Sequence, residues 1–365
     1  MTGGTSSAQT RDDARVNNEE REEAQTMIAC GFDVHRAQIT FDLVDHETGE
    51  LRRGRVVPAT RAQLRVWLSG VDTSRLVVAV EGTTGWRFVA EEVEAAGARA
   101  VLAEPGETRA LRGPKRRAKT DRADARWLRE LLERGELPLS WIPPQHLLEL
   151  RCRVRLRQTL ADERRGWLQR VHAQLFHHGI PVAGELAKPA AREWLQTAEL
   201  SPAGRTAVET ALATVDFLDT QLATLDDELH RYARAHPATR ALVRLYGVGD
   251  LTAVAIYAAV GDARRFSSAR KVIRLAGLDV TVHESDRKRQ PGRISRQGPP
   301  MLRWAAYEAG LAACRSSSPD HADYLALRAR LGHKTACLTV SRRVLRRAYH
   351  ALVAVGDATL EPAPS

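Results

Sequence analysis

Two carboxylates lie three residues apart inside the most basic segment of the chain, KRRAKTDRADARWLRELL (115–132). The i, i+3 spacing of Asp121 and Asp124 places both side chains on one face of a helix. Paired carboxylates can bind a divalent cation, and neighbouring cations suit a phosphate backbone. Those cations are Lys115, Arg116, Arg117, Lys119 and Arg122. The segment thus predicts either a metal site beside nucleic acid or a solvated helix start, N-capped by Thr120, whose acids are favoured by the helix dipole.

Two further acids end strand-like runs. Asp33 closes MIACGFDV (27–34), and Glu81 directly follows LVVAV in RLVVAVEG (75–82). Acids at strand ends point into the crevice at the edge of an α/β sheet, where ligands usually bind. Carboxylate oxygens are the ligands that Mg²⁺ prefers, and four of them could hold two ions for phosphoryl transfer. The sequence therefore predicts a site of two Mg²⁺ ions on Asp33, Glu81, Asp121 and Asp124.

The elements around these acids alternate between strand and helix. Apolar runs predict strands, and 3.6-residue periodicity that ends on glycine predicts helices. The resulting order, β-β-β-α-β-α-β-α, predicts one α/β domain with a mixed sheet over residues 26–136. The predicted strands are 27–34, 38–45, 51–59, 75–82 and 98–105, and the predicted helices are 61–70, 86–97 and 120–135.

The rest of the chain is predicted to be mainly helical. After a linker at 137–144, segments 145–178 and 202–235 have long helical periodicity, so two helices pair with each other or with another subunit. The stretch LYGVGDLTAV (245–254) predicts a helix–Gly-Val-Gly–helix turn, a weak indication of phosphate binding. The predicted organisation is a flexible arm (1–25), the α/β domain (26–136), a helical, coiled-coil-like region (145–236), a C-terminal domain (237–350) and a disordered tail (355–365).

Several motifs resemble one family. GFDVHRA, AVEGTTGW and RRAKTDRADARWL resemble the motifs of bacterial insertion-sequence transposases with a RuvC-like DEDD domain, which are bridge-RNA-guided serine recombinases. LYGVGDLTAVAIYAAVGDARRFSSARKVIRLAGL and GRISRQGPPMLRWAAYEAG resemble the second conserved block of that family, and the blocks together cover about half the chain. The resemblance implies an RNase H-like fold, with the four acids as the DEDD tetrad, and a C-terminal transposase domain. The chain departs from the family at EGTTG, where EATG is common, and at ISRQGP, where ISKRGN is common.

The resemblance also implies a nucleophilic serine in the C-terminal domain, and Ser295 in QPGRISRQG is the candidate. Serine needs activation to act as a nucleophile, and guanidinium groups such as those of Arg293 and Arg296 can stabilise charge on a transferring phosphoryl group. Residue types alone favour an ordinary contact between a basic loop and phosphate. Ser267 and Ser268 are rival nucleophiles, although they also suit the N-cap of the following helix.

Composition favours a polyanionic partner. The chain has 55 Lys+Arg against 45 Asp+Glu, a net charge of +10 and a pI near 9.9. Such a balance favours nucleic acid over an anionic membrane, although an arginine-rich genome would also produce it. The four cysteines form no CxxC pair, so zinc and disulfide frameworks are not indicated. Without an apolar run of membrane-spanning length or a signal sequence, we expect a location in the bacterial cytoplasm, at the nucleoid.

The predicted function is that of a DNA recombinase of a mobile element, acting through a phosphoserine–DNA intermediate with Mg²⁺ at the carboxylates. The resemblance implies a structured noncoding RNA that pairs with donor and target DNA, and a dimer or tetramer. Arginines in 109–122 and 151–170 are expected to hold phosphates. Two alternatives remain open: a metal-dependent nuclease of the Holliday-junction resolvase type that needs no serine, and an inactive nucleic-acid-binding copy.

Overall fold

The computed structural model describes residues 26–113, 120–182, 185–186, 188–285 and 288–363, with the backbone alone for 282–285 and 288–292. The chain divides into two compact units, Met1–Ile142 and Pro143–Ser365. The predicted boundary between 236 and 237 therefore falls inside the second unit.

The first unit is a six-stranded sheet with helices on both faces. The strands are β1 (Ile28–Val34), β2 (Ile39–Asp45), β3 (Leu51–Val56), β4 (Leu76–Glu81), β5 (Arg99–Ala103) and β6 (Leu139–Ser140). The helices are α1 (Arg61–Leu68), α2 (Trp86–Ala95), α3 (Pro105–Ala110) and α4 (Asp121–Glu133). The predicted α/β domain is confirmed, while α3 was not predicted and β6 lies within the predicted linker.

The strand order is β3-β2-β1-β4-β5-β6. β1 pairs antiparallel with β2 and parallel with β4, and β4 pairs parallel with β5, so the sheet is mixed as predicted. Successive side chains of β4 point to opposite faces of the sheet. Val78 and Val80 belong to the core beneath α1 and α2, whereas Ala79 packs in the cluster that contains Leu128 of α4. This two-sided burial explains the continuous apolar run LVVAV.

Helix α4 lies unusually close to β1. A Cβ atom on Gly31 would lie 2.0 Å from the carbonyl oxygen of Ala125, so only glycine permits this approach. A buried ion pair anchors the same helix to β2, because Arg129 Nε donates to Asp42 Oδ1 at 2.5 Å. The contact brings the N-terminus of α4 to the end of β1.

The second unit is mainly helical. Its helices are α5 (Gln145–His177), α6 (Pro189–Thr197), α7 (Pro202–Ala235), α8 (Pro237–Val243), α9 (Asp250–Val260), α10 (Ala269–Leu275), α11 (Pro300–Ala312), α12 (His321–Leu331) and α13 (His333–Val355). β7 (Val280–Ser285) and β8 (Lys288–Ile294) form an antiparallel hairpin that was not predicted. Short 3₁₀ helices span Ala263–Arg265 and Gly356–Thr359.

The two long helices pair with each other, as one of the two predicted arrangements requires. Arg157 Nε donates to Asp226 Oδ1 at 2.8 Å, and Arg164 pairs with Asp219, so α5 is tied to α7 along its length. The eight residues from Ala253 to Val260 of α9 are all buried. This apolar helix packs against α5, α7 and α11, which joins the predicted coiled-coil region and C-terminal domain into one unit.

Residues 356–363 differ from the prediction of a disordered tail. Tyr257 Oη donates to the Thr359 carbonyl at 2.8 Å, and the Glu361 carbonyl lies 3.0 Å from His236 Nε2. Burial of Thr359 and these hydrogen bonds hold the segment, which its polar composition concealed. None of the helices in the described ranges has both the length and the apolar character of a membrane span.

Candidate active site

The four predicted carboxylates lie together at the carboxyl ends of the two central strands, β1 and β4. β1 and β4 are adjacent and parallel, so Asp33 and Glu81 lie near the same end of the sheet. Because α4 packs closely on β1 at Gly31, Asp121 and Asp124 in the first turn of α4 lie beside these two acids. Thr120 caps this helix by accepting from the Ala123 N–H at 3.2 Å. The capping interpretation is thus confirmed, and it coexists with the convergence of the acids.

An open cleft of about 1930 Å³ contains all four acids. We call it the carboxylate cleft. Its wall also includes Thr83 and Thr84 after β4, and residues of the α3 segment. Among the residues that the structure describes, its lining also includes the arginines Arg36, Arg53, Arg109, Arg112, Arg122 and Arg126. Opposite charges thus meet in one concave surface, with acids at the sheet edge and guanidinium groups around them.

The cleft disfavours uncompensated negative charge. Burial raises the pKa of Asp33, and the neighbouring carboxylates of Asp124 and Asp121 raise it further, while His35 opposes the rise. The pKa of Glu81 is raised by burial first and then by Asp124 and Asp33. Asp33 and Glu81 therefore resist ionisation, and a bound cation would relieve the repulsion from their neighbours.

The donor set fits a divalent cation. Asp33, His35 and Asp121 each offer a ligand atom, and these three atoms lie within 4.8 Å of one another. Asp124 Oδ1 is buried without a hydrogen bond, although Arg112 Nη1 lies 2.5 Å away in an ion pair outside hydrogen-bond geometry. A buried carboxylate oxygen in this state can accept a metal ion.

His35 adds a nitrogen donor to the predicted oxygen set. It lies in the turn after β1, and its Nε2 atom is 3.2 Å from Asp33 Oδ2 and 3.7 Å from Asp121 Oδ1. Gln38 Nε2, from the same turn, donates to Asp121 Oδ2 at 2.9 Å and orients that carboxylate. The signal for His35 was its spacing of two from Asp33. No sequence pattern indicated Gln38, and Arg112 was expected only as one of the phosphate-binding arginines of 109–122, not as the partner of Asp124.

The basic residues around the cleft differ in their surroundings. Arg122 lies at the cleft, where Arg36 and Arg109 are also exposed. Arg53 instead donates to Asp42 Oδ2 at 2.7 Å and helps to neutralise that buried acid. Four predicted cations, Lys115, Arg116, Arg117 and Lys119, lie outside the described residues.

Ser295 lies in the second unit, at the base of the β7–β8 hairpin. It directly follows β8, and its N–H donates to the carbonyl of Asp279, the residue before β7, at 2.9 Å. Its hydroxyl donates to the Asp279 carboxylate. Ser295 is half-buried, and the Arg293 and Arg296 side chains beside it are exposed. Residues 295–299 are called the serine loop below.

The serine loop is tightly constrained. Arg296 has φ +54°, a left-handed conformation that is unfavourable for a residue with a side chain. A Cβ on Gly298 would lie 2.0 Å from the Leu275 carbonyl oxygen, so the glycine permits a close approach to this protein's own backbone. Arg303 Nη1 donates to the Arg296 carbonyl at 3.1 Å.

The rival serines lie in a different setting. Ser268 is at the N-cap position of α10 without a side-chain cap hydrogen bond, and both Ser267 and Ser268 are exposed. The Gly-Val-Gly turn precedes α9, whose first residue is Asp250, and Asp250 Oδ2 lies 2.9 Å from His230 Nδ1. A carboxylate at this helix start opposes phosphate binding there.

Most arginines of the predicted phosphate-binding stretch 151–170 interact within the unit. Arg151 donates to the carbonyls of Ala258 and Ala259, and Arg165 pairs with Asp162. Arg170 stacks over Trp167 with 4.3 Å to the ring centroid. Together with the α5–α7 ion pairs, these contacts show that most arginines of 151–170 stabilise the second unit. Arg155, by contrast, is exposed.

Comparison with known proteins gives consistent results. Residues 239–326 match the family described as "Transposase IS116/IS110/IS902 family", and residues 30–178 match a DEDD-type IS110 transposase domain described as "Transposase". The "Transposase for insertion sequence element IS1111A" of Coxiella burnetii is 29% identical over 198 residues, 51% of this chain and 52% of the relative.

Two further relatives match similar portions of the chain. A Sinorhizobium fredii protein designated y4qE is 31% identical over 169 residues, 46% of this chain and 41% of the relative. A Pseudomonas aeruginosa protein named "Probable family 20 transposase" is 26% identical over 213 residues, 55% of this chain and 63% of the relative. The chain thus spans about half the length of the curated relatives it matches. Both matching domains occur here in order, and the chain belongs to the IS116/IS110/IS902 family of transposases.

Proposed function

We propose that this protein is a DNA transposase that cuts and rejoins DNA at the ends of a mobile element. The observation that carries the proposal is the convergence of Asp33, Glu81, Asp121 and Asp124 in one arginine-lined cleft. Acids hold divalent cations, and exposed guanidinium groups hold phosphates, so the cleft suits a DNA phosphodiester. The strand order of the first unit supports an RNase H-like, RuvC-type fold for this domain.

The metal site is proposed to hold two Mg²⁺ ions on the four carboxylates. Bound there, divalent cations would stabilise the negative charge that develops on the leaving 3′ oxygen. Gln38 holds the Asp121 carboxylate in place, and Arg112 balances Asp124. Arg36, Arg109 and Arg122 are exposed at the cleft and would position the DNA backbone by phosphate contacts.

Ser295 is the proposed nucleophile. Attack of its hydroxyl on a DNA phosphate would form a phosphoserine–DNA intermediate and release a 3′-OH, and a partner strand's 3′-OH would later displace the serine. The half-buried hydroxyl, its fixed backbone and the exposed Arg293 and Arg296 support this role. Exposed guanidinium groups can bind the scissile phosphate and stabilise its charge.

The proposed partners extend beyond the cut DNA. We assign a structured noncoding RNA that pairs with donor and target DNA, and a homo-oligomer, to this function. The net charge of +10 and the family relationship support the RNA. A plain RuvC-like nuclease is the second candidate, because every acid of the cleft lies in the first unit and needs no serine from the second.

The test combines the protein with DNA spanning its own element ends, the adjacent noncoding RNA and Mg²⁺, and detects a protein–DNA adduct on a denaturing gel. We expect the adduct in wild type and in Ser268→Ala, the matched control, but not in Ser295→Ala or Asp121→Ala. Cut DNA without an adduct, unchanged in Ser295→Ala, would replace the transposase with the nuclease. Omission of the RNA should abolish the adduct; an undiminished yield would remove the RNA from the proposal.

A further inference from the structure

The hydroxyl of Ser295 has a carboxylate partner that the family motifs did not indicate. Asp279 precedes β7 and Ser295 follows β8, so the two residues face each other across the base of the hairpin. The Ser295 Oγ–H donates to Asp279 Oδ1, and the Ser295 N–H donates to the Asp279 carbonyl. One residue therefore fixes both the backbone and the hydroxyl of the serine.

The backbone around this pair is held on both sides. The Arg296 N–H donates to the Gly277 carbonyl at 3.0 Å. A Cβ on Gly277, which has φ +65°, would lie 2.2 Å from the Gln297 carbonyl oxygen, so the two chain segments are in close contact. Arg303 Nη1 donates to the carbonyls of both Ala276 and Arg296, at 3.3 and 3.1 Å. The serine loop thus cannot shift away from Asp279 without breaking several contacts.

A half-buried cation lies near the carboxylate. Arg342 on α13 donates from Nε to the Leu278 carbonyl at 2.7 Å, directly beside Asp279. Burial lowers the pKa of Arg342, and the charge of Asp279 opposes that change, so the two charges interact. A guanidinium at this position therefore balances part of the negative charge of the Asp279 carboxylate.

We propose that Asp279 is the positioning residue of Ser295 and the acceptor of its hydroxyl proton. This inference rests on the proposed role of Ser295 as nucleophile. In the step, a bond forms between Ser295 Oγ and phosphorus, and the bond between phosphorus and the 3′ oxygen breaks. The hydroxyl proton passes to the Asp279 carboxylate, and the electron pair leaves with the 3′ oxygen, which takes a proton from solvent.

The geometry explains why the carboxylate is useful. A serine hydroxyl is a weak nucleophile without a base, and a hydrogen-bonded base typically increases the rate about 10²–10⁴-fold. The bond to Asp279 also leaves the lone pairs of Oγ free, because the hydroxyl is the donor. Exposed Arg293 and Arg296 on either side of Ser295 provide the charge that would bind the incoming phosphate.

The first test needs no DNA. In the full chain carrying Ser295→Cys, the rate of alkylation of residue 295 by iodoacetamide is followed against pH by peptide mass spectrometry. The Asp279 carboxylate disfavours the thiolate, so adding Asp279→Asn should lower the midpoint pH of alkylation by about 1 unit. The matched control is Asp262→Asn, which removes a carboxylate paired with Arg264 in the same unit and should leave the midpoint unchanged. An unchanged midpoint in Asp279→Asn would overturn the inference.

The second test separates this inference from the proposed function. Adduct formation is timed with element-end DNA, the noncoding RNA and Mg²⁺ for wild type, Asp279→Asn and Ser295→Ala. We expect Asp279→Asn to slow the adduct about 100-fold, with unchanged DNA affinity and a rate that rises more steeply with pH. A wild-type rate in Asp279→Asn, with Ser295→Ala inactive, would overturn the role of Asp279 alone. An adduct in Ser295→Ala would overturn the proposed function instead.

Discussion

The carboxylate cleft and the serine loop are built in opposite ways. In the cleft, acids from three separate elements are brought together, and burial, with the neighbouring carboxylates, raises the pKa of Asp33 and Glu81. In the serine loop, the hydroxyl of Ser295, the proposed nucleophile, donates to the Asp279 carboxylate across the base of a hairpin, and the strain lies in the backbone of Arg296. A bound cation would therefore relieve the repulsion in the cleft, whereas the Ser295 hydroxyl already has a hydrogen-bond partner.

The largest expected effect concerns the contact that assembles the cleft. Gly31→Ala should destabilise the first unit by about 3 kcal/mol, because the new Cβ would overlap the Ala125 carbonyl and push α4 from β1. Urea denaturation measures the free energy of unfolding. Gly70→Ala is the control, since its Cβ would lie 3.5 Å from the nearest atom, in ordinary contact. Equal stability of the two variants would show that Gly31 does not set the position of α4.

This contact also marks the limit of sequence reasoning. Apart from α3 and β6, the strands and helices of the first unit were predictable because apolar runs and helical periodicity are local, and the four acids stood at element ends. The approach of α4 to β1 depends on packing between distant segments, so Gly31 gave no local signal. The pairing of Arg112 with Asp124 and the contact of Gln38 with Asp121 were missed for the same reason, since each meets its acid only in the fold.

The second unit was less predictable. The β7–β8 hairpin contains charged residues and a proline in place of an alternating apolar pattern, so it carried little strand signal. Asp279 therefore could not be connected with Ser295 by residue spacing. The motif resemblance identified Ser295 as a candidate, and its mechanistic role stays a prediction.

The carboxylate cleft and the core around His236 should respond oppositely to acid. His236 is fully buried, and its Nδ1 accepts from the Ala238 N–H at 3.0 Å, so its proton resides on Nε2, which faces the Glu361 carbonyl. Burial lowers the pKa of His236 and of His146. Their contribution to stability is present above the unfolded pKa of about 6.5 and is lost as the pH falls towards the folded values, by up to about 1.4 kcal/mol per pH unit for each proton.

The raised pKa values of Asp33 and Glu81 change stability with pH in the opposite direction. In the folded protein these two acids bind protons more readily than in the unfolded chain, so the metal-free cleft gains stability as the pH falls through their pKa values.

The prediction for His236 is tested by hydrogen exchange of α9 between pH 7.5 and 5.5. The free energy of opening should decline with falling pH in wild type, and decline less in His236→Gln. The exposed His172→Gln serves as the control and should behave as wild type. If the free energy of opening of α9 declined equally with pH in all three proteins, His236 would not be the group that causes the decline.

A smaller effect should distinguish metals at the cleft. Imidazole nitrogen suits transition metals better than Mg²⁺, and His35 Nε2 lies with carboxylate oxygens of Asp33 and Asp121. His35→Ala should weaken Mn²⁺ binding about 10-fold in calorimetry and change Mg²⁺ binding less than about twofold. The control is His46→Ala, because His46 pairs with Glu133 at 3.1 Å and does not line the cleft. Equal losses for both metals would make His35 an orienting group for Asp33 instead of a ligand.

The smallest expected effect tests whether strain is confined to the serine loop. Arg296→Gly should raise the free energy of unfolding by about 0.5 kcal/mol, because relief of the left-handed conformation exceeds the added flexibility of the unfolded chain. Arg293→Gly removes the same charge from the extended strand β8 and should lower stability by a similar amount. Each variant should reduce the salt dependence of DNA binding by about one phosphate contact. Opposite stability changes with equal electrostatic losses would place the strain at Arg296, whereas a loss of stability in both would show that the loop tolerates the left-handed arginine without cost.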